Sequence, residues 1–418
     1  MKRPESVRRF LGELRGTLAA TQIERLDRYT NELFERALVR NDDGTVFVLT
    51  GDIPAMWIRD STWQLRPLLA TQPDAELVEI IAGVSRMQAR QLTIDPYANA
   101  FNREASGDCW HRDFVDQSPW VFERKFEVDS LAAFFELAVA LYRSTGTTLH
   151  LDNDFWHAVE VVLNVVRTEL SHDPESYVFV REDAPESDFL SHDGRGAPFA
   201  ATGLVWSGFR PSDDRCVYPF HIPANAHLSV TMVALSDIAR ARGEIEIAAA
   251  LAEIGTTIRQ SLLLACEQFD RWPYEIDGLG NALFVDDPNF PSLLSMPFLG
   301  WCETDDARYL ATRAWLLSEA HPLWRSGKFG EGFASDHTPE DNIWPLSIAM
   351  RGLTAQTLDE AEHCLAMLEK TDAGTGSMHE SFNVNDAGDF TRPWFSWADM
   401  AYCDLVLHVA RGRARGGL

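Results

Sequence analysis

Apolar residues recur three and four positions apart along most of the chain, which is the period of amphipathic helices. The spacing predicts helices over Thr21–Leu38, Ala75–Leu92, Val128–Arg143, Phe155–Leu170, Asn225–Arg242, Ile245–Phe269, Asp306–Ser318, Glu340–Arg351, Thr357–Lys370 and Phe395–Arg411. Thr338-Pro339-Glu340 and Ser396 carry start signals for two of them. Strand-like stretches are short and rare. Tyr177–Val180 and Leu283–Val285 are the best, each suited to one arm of a small hairpin. About twelve helices in neighbouring pairs predict an all-α fold, a toroid of helical hairpins. An open solenoid is the alternative.

Between the pairs lie longer segments rich in Gly, Pro, Asp, Asn and aromatic residues: Asp95–Asn102, Ser118–Glu127, Trp206–Ala224, Trp272–Pro291, Gly327–Asp336 and Ala373–Trp397. They are too aromatic for disordered linkers and suit functional loops on a rigid scaffold. None reads as a domain linker, so residues 1–418 are expected to form a single domain.

The net charge of −26 points away from nucleic acid and from anionic lipid surfaces, and is compatible with a neutral ligand. The six cysteines are scattered without CxxC pairs and read as reduced thiols. The basic start MKRPESVRRFLGELRG has no apolar core after it, and no run approaches the roughly 18 apolar residues of a membrane span. A cytoplasmic location is expected.

The loops carry the candidate chemistry. Trp57, Arg59 and Asp60 crowd a ring, a guanidinium and a carboxylate before a helix. WSGFRPSDD sets Trp206 and Arg210 beside the adjacent Asp213 and Asp214, whose side chains diverge if the backbone is extended. GSMHESFNVNDAGDFTRPWFSW places Glu380 beside His379 and ahead of Arg392 and Trp397. A carboxyl among aromatics and hydrogen-bonding groups can be tuned for acid or base work, although Glu380 could equally be a structural partner of Arg392. Further loops add Tyr97 and Asn99, Glu127 and Asp129, Asp287, and His337 with Trp344. Rings together with acid and amide groups at one mouth suit sugars, whose C–H faces stack and whose hydroxyls need fixed partners. No phosphate loop, dinucleotide fingerprint, GxSxG or HExxH is present. No carboxylate pair shows metal-ligand spacing, so neither a metal nor a cofactor is expected.

DIPAMWIRDSTWQLRPLL, DPYANAFN, ERKFEVDSL, WSGFRPSDD, HIPAN, GLGN, DDPNFPSLLS and HESFN…FTRPWFSWA, in this order from Asp52 to Ala398, closely resemble glycoside hydrolase family 125. The resemblance implies an (α/α)6 barrel, an inverting exo-α-1,6-mannosidase activity on oligosaccharides or N-glycan fragments, and catalysis without a metal. It implies Asp213 as general acid, with Asp214 as the alternative, and Glu380 as general base. Inversion then calls for the two carboxyls to stand roughly 6.5–9.5 Å apart. Burial and the neighbouring carboxylate are expected to raise the acid's pKa. Trp57, Arg59 and Asp60 are expected to wall the terminal-sugar subsite. Tyr97, Asn99, Glu127, Asp129, Trp206, Arg210, Asn225, Asp287, His337, Trp344, Arg392 and Trp397 are expected around the sugar. His379 is expected there as a neighbour only, because the backbone turns it away from Glu380.

Overall fold

A computed structural model describes residues 1–111, 113, 117–173, 176–182 and 184–418. Its helices are α1 (Glu5–Glu13), α2 (Ala20–Glu32), α3 (Ile58–Leu65), α4 (Ala75–Ile94), α5 (Val128–Thr145), α6 (Asn153–Glu169), α7 (Ser191–Gly194), α8 (Ile222–Arg242), α9 (Ile245–Ala265), α10 (Ala307–Leu316), α11 (Pro345–Leu353), α12 (Leu358–Leu368) and α13 (Ser396–Arg415). α3 packs on α5 and α5 on α8. α11 packs on α13, and α13 returns to α3. That last contact joins the last helix to the first of the ring, as a closed toroid requires and an open solenoid does not. An outer layer covers this ring, with α4 on α5, α9 on α8, α12 on α11 and α2 on α13.

Burial follows the layers. All eight residues of α3 are buried, and α8 is buried along most of its length. α9 buries one face only, as an outer helix should. Between α9 and α10 the chain winds through turns over residues 292–300. Phe290 and Phe298 from this region pack on Trp63 of α3, with ring centroids 5.2 and 5.8 Å away.

The strands are two to six residues long and form five small antiparallel sheets among the described residues. They are too short to show alternation in the sequence. Their placement is regular. Met56–Trp57 leads into α3, Val121–Glu123 towards α5, Phe220–His221 into α8 and Asn342–Ile343 towards α11. The bridge between Gly51 and Phe395 precedes α13. Each inner helix therefore begins at the sheet-bearing mouth of the ring.

Two expectations change. The helix expected over Glu340–Arg351 begins at Pro345, because Asn342 and Ile343 pair with Asn383 and Phe382 instead. Proline then sits at the first helical position, where its missing N–H costs nothing. Tyr177–Val180 forms no ladder. The Tyr177 hydroxyl donates to the Arg124 carbonyl at 2.7 Å, and the Phe179 N–H to Gly194 at 2.9 Å. The second hairpin arm lies at Ala282–Leu283.

Gly51 fastens the mouth. Its φ is 134°, and a Cβ there would stand 2.5 Å from the Trp394 carbonyl oxygen. Gly51→Ala is expected to cost about 1–3 kcal/mol, read as a lower midpoint in urea unfolding at unchanged slope.

Candidate active site

The mouth of the ring holds a cavity of about 290 Å3 lined by residues from separate parts of the chain. Its position explains an oddity in the helix starts. Ser, Thr, Asp and Asn usually occupy the N-cap, where they accept a backbone hydrogen bond. Trp57 stands at the N-cap of α3, Glu127 of α5, Trp344 of α11 and Phe395 of α13, and none of the four side chains caps its helix. Trp57, Trp344 and Phe395 line the cavity instead. Helix N-termini carry partial positive charge, so a ring of them suits a cavity rich in carboxylates.

Arg59 and Asp60, on the first turn of α3, form one wall. The guanidinium is buried and meets four carboxyls: Glu127 at 2.6 Å, Asp60 and Asp129 at 3.2 Å, and Asp213 at 3.6 Å. Burial opposes its charge, but these partners keep it firmly ionised. Burial also pushes the Asp60 carboxyl up to about 6, with Arg59 opposing and Asp213 assisting the rise.

Asp213 and Glu380 both line the cavity. Asp213 sits in a tight turn in which the Arg210 N–H donates to the Asp214 carbonyl and the Asp213 N–H to the Arg210 carbonyl. Its φ is 66°, so the segment is not extended. The adjacent carboxyls still diverge. Asp214 is buried outside the lining, accepts from the Ser212 hydroxyl at 3.2 Å and lies 3.6 Å from His337 Nδ1. Asp213 accepts from Asn99 Nδ2 at 3.2 Å, and its carbonyl accepts from Lys125 Nζ at 2.7 Å. Glu380 accepts from the Thr391 hydroxyl at 3.1 Å and pairs with Arg392 at 3.3 Å. Arg392 also has positive φ, 49°, and lines the cavity. Strained backbone is thus held on both sides of the cavity, as is common at functional sites.

The expected rise in the Asp213 pKa is reversed. Burial pushes its carboxyl up, but a hydrogen bond with the Glu127 carboxyl and the charges of Arg59, Lys125 and His337 outweigh it and hold the group at about 2. Glu127 moves the other way, well above the ordinary range, chiefly through burial.

A model of metal-independent α-mannosidases, glycoside hydrolase family 125, matches residues 20–407. The chain belongs to glycoside hydrolase family 125. It is 37% identical over 388 residues to the meiotically up-regulated gene 157 protein of Schizosaccharomyces pombe, covering 87% of this chain and 76% of that protein. It is 38% identical, with a TM-score of 0.94, to a metal-independent α-mannosidase of Streptococcus pneumoniae solved in a non-productive complex with α-1,6-mannobiose. That match covers 98% of this chain and 99% of the other. A bacterial glucoamylase solved with acarbose shares the fold alone, at a TM-score of 0.54 and 13% identity over 85% of this chain and 49% of its own. The mannosidase fold is the (α/α)6 barrel.

Of the residues singled out in the mannosidase sequence, Trp57, Arg59, Asp60, Asp213, His337, Trp344, Glu380, Arg392 and Trp397 line the cavity. The others lie behind it. Asn99, Glu127 and Asp129 stand under the wall and hold Arg59 and Asp213. Tyr97 donates to Glu169 at 2.7 Å, and Trp206 stacks on His172 in the core. Arg210 is bound to Glu275 at 2.5 Å, and Asn225 satisfies the backbone of Val205 and His221. Asp287 accepts from the Asn289 N–H. His379 is buried against Phe390 with its ring 3.6 Å away, and burial lowers its pKa.

Lining residues not singled out include Glu123, Lys125, Arg181 and Asp188. Lys125 is buried and pairs with Asp188 at 2.6 Å, while Arg181 bridges Glu123 and Asp188 at 3.0 and 3.3 Å. Glu123, Lys125 and Glu127 are spaced two apart, which in an extended segment puts them on one side, and that spacing was the available signal. Trp110 and His111 also line the rim and carry no comparable pattern.

Several polar atoms at the site have no hydrogen-bond partner among the described residues, including Trp57 Nε1, Trp397 Nε1 and Asn289 Oδ1. Buried groups of this kind are costly unless something satisfies them, and sugar hydroxyls can both donate and accept.

Desolvation would lower the pKa of the partly exposed His337, but the Asp214 carboxyl 3.6 Å away outweighs it and raises the ring to about 9. Because this value lies above the ordinary 6.5, the pairing is fully present below about pH 6.5 and is lost as pH rises through about 9. NMR titration is expected to place the His337 midpoint near 9 in the native chain. Asp214→Asn should return it towards 6.5.

Proposed function

We propose that this family 125 enzyme is an exo-acting, inverting α-1,6-mannosidase that removes the terminal non-reducing mannose from oligosaccharides or N-glycan fragments. Asp213 is the general acid and Glu380 the general base. The observation carrying this reading is that both carboxyls line one cavity while Asp214 turns away into a pairing with His337. The relative crystallised with α-1,6-mannobiose supports the linkage. We further take the chain as one catalytic domain acting in the cytoplasm, in keeping with its scattered cysteines.

The terminal mannose enters with its non-reducing end against Arg59 and Asp60 and its ring among Trp57, Trp344 and Trp397. Asp213 gives a proton to the glycosidic oxygen as the C1–O bond breaks. Glu380 removes a proton from water attacking C1 on the opposite face, which inverts the anomeric centre. Thr391 and Arg392 fix the Glu380 carboxyl in place by a hydrogen bond and an ion pair. Neither step involves a metal, in line with the family's description.

NMR of α-1,6-mannobiose hydrolysis in the presence of a chelator is expected to show β-mannose first, with α-1,2- and α-1,3-mannobiose cleaved far more slowly. α-Mannose appearing first would overturn inversion. Preference for another linkage would overturn the substrate assignment, and loss of activity to the chelator would overturn metal independence.

A further inference from the structure

The reading of Asp213 as the acid leaves a question, because a proton donor must have a proton to give. Arg59 is the one cation in contact with Asp60, Glu127, Asp129 and Asp213 among the described residues. The other cations nearby are otherwise committed. Lys125 pairs with Asp188 and Glu123 and reaches only the main-chain oxygen of Asp213. Arg181 serves Asp113, Glu123 and Asp188, and His337 serves Asp214. His227 faces Glu136 at 3.7 Å. Three buried carboxyls and the partly exposed Asp213 on one guanidinium do not all ionise.

Two of the four share a second donor as well. Asn99 Nδ2 donates to Glu127 Oε1 at 3.1 Å and to Asp213 Oδ1 at 3.2 Å, so the two carboxyls are held as neighbours by one amide and one guanidinium. Like charges gathered on the same donors repel, which favours a proton on one of the pair. The surroundings also suit Glu127 after it has lost one. Its Oε2 accepts from Arg59 at 2.6 Å and from the Ser130 hydroxyl at 3.2 Å, and its Oε1 from Asn99 Nδ2 at 3.1 Å. Arg59 stands a full ångström closer to Glu127 than to Asp213.

We propose that Glu127 stores the proton that Asp213 delivers to the leaving sugar, so that the acid of this mannosidase is a one-proton carboxyl pair. This rests on the assignment of Asp213 above. The Glu127 O–H bond breaks and an O–H bond forms on Asp213, leaving the Glu127 carboxylate on Arg59, Ser130 and Asn99. The Asp213 O–H bond then breaks as the proton passes to the glycosidic oxygen and the C1–O electron pair leaves with that oxygen. A proton from solvent later restores the pair. Glu127 does not line the cavity, so it acts through Asp213 as a positioning residue. The direction of the two carboxyls is in keeping, with Glu127 held high and Asp213 low.

The test compares α-1,6-mannobiose, whose leaving oxygen needs a proton, with α-mannosyl fluoride, whose leaving group does not. Full-length Glu127→Gln is expected to lose roughly 10²-fold more kcat on mannobiose than on the fluoride, the usual scale of acid assistance. The basic limb of its kcat/KM profile on mannobiose should move down by about one pH unit or more, and Glu127→Asp should recover part of the loss. Asp213→Asn is expected to show the same split between substrates. Equal losses on both substrates for Glu127→Gln, or no loss on mannobiose, would overturn the stored proton while a split in Asp213→Asn leaves the acid assignment standing. Absence of a split in Asp213→Asn would overturn that assignment and the stored proton with it.

Discussion

A single buried guanidinium organises the site. Arg59 cannot leave water without partners, because an unpaired charge in a protein interior costs several kcal/mol. Its partners come from α3, from the start of α5 and from the turn carrying Asp213. Meeting that one requirement draws three distant parts of the chain together at the mouth of the barrel. It also leaves more carboxyls than positive charge in one place, so protons must be retained there. The electrostatic condition for stable packing is therefore the condition for acid chemistry.

The barrel supplies the second constraint. Inner helices begin at the same mouth, each introduced by a short strand or bridge. Ordinary N-cap chemistry is given up at α3, α5, α11 and α13, and ring or acid side chains stand in its place. The positive φ of Asp213 and Arg392 belongs to the same exchange, in which local preference yields to the placing of a side chain. The tightly packed ring beneath can absorb those losses.

Much of this was legible before the fold was known. α4, α5, α8, α9 and α13 follow their apolar periodicity closely, because each has at least one continuous face against a core. α3 has no such period, since Arg59, Asp60 and Gln64 are buried with its apolar residues, yet that incongruous mixture marked the site. Most of the strands were hidden, being only two or three residues long. Loop aromatics and charges gave a weaker guide. Trp206 and Arg210 are as suggestive as Trp57 in sequence, but the loop folds them into its own support. Lys125 escaped notice because a buried lysine is rare, and its partners Asp188 and Glu123 lie in segments with no helical pattern.

The most direct test is a crystal structure of the Glu380→Gln variant with α-1,6-mannobiose bound across the cavity. The terminal mannose should lie against Arg59 and Asp60, with the glycosidic oxygen within hydrogen-bonding reach of Asp213 and a water between residue 380 and C1. A sugar bound with its reducing end against Arg59, or a glycosidic oxygen out of reach of Asp213, would contradict the site as derived.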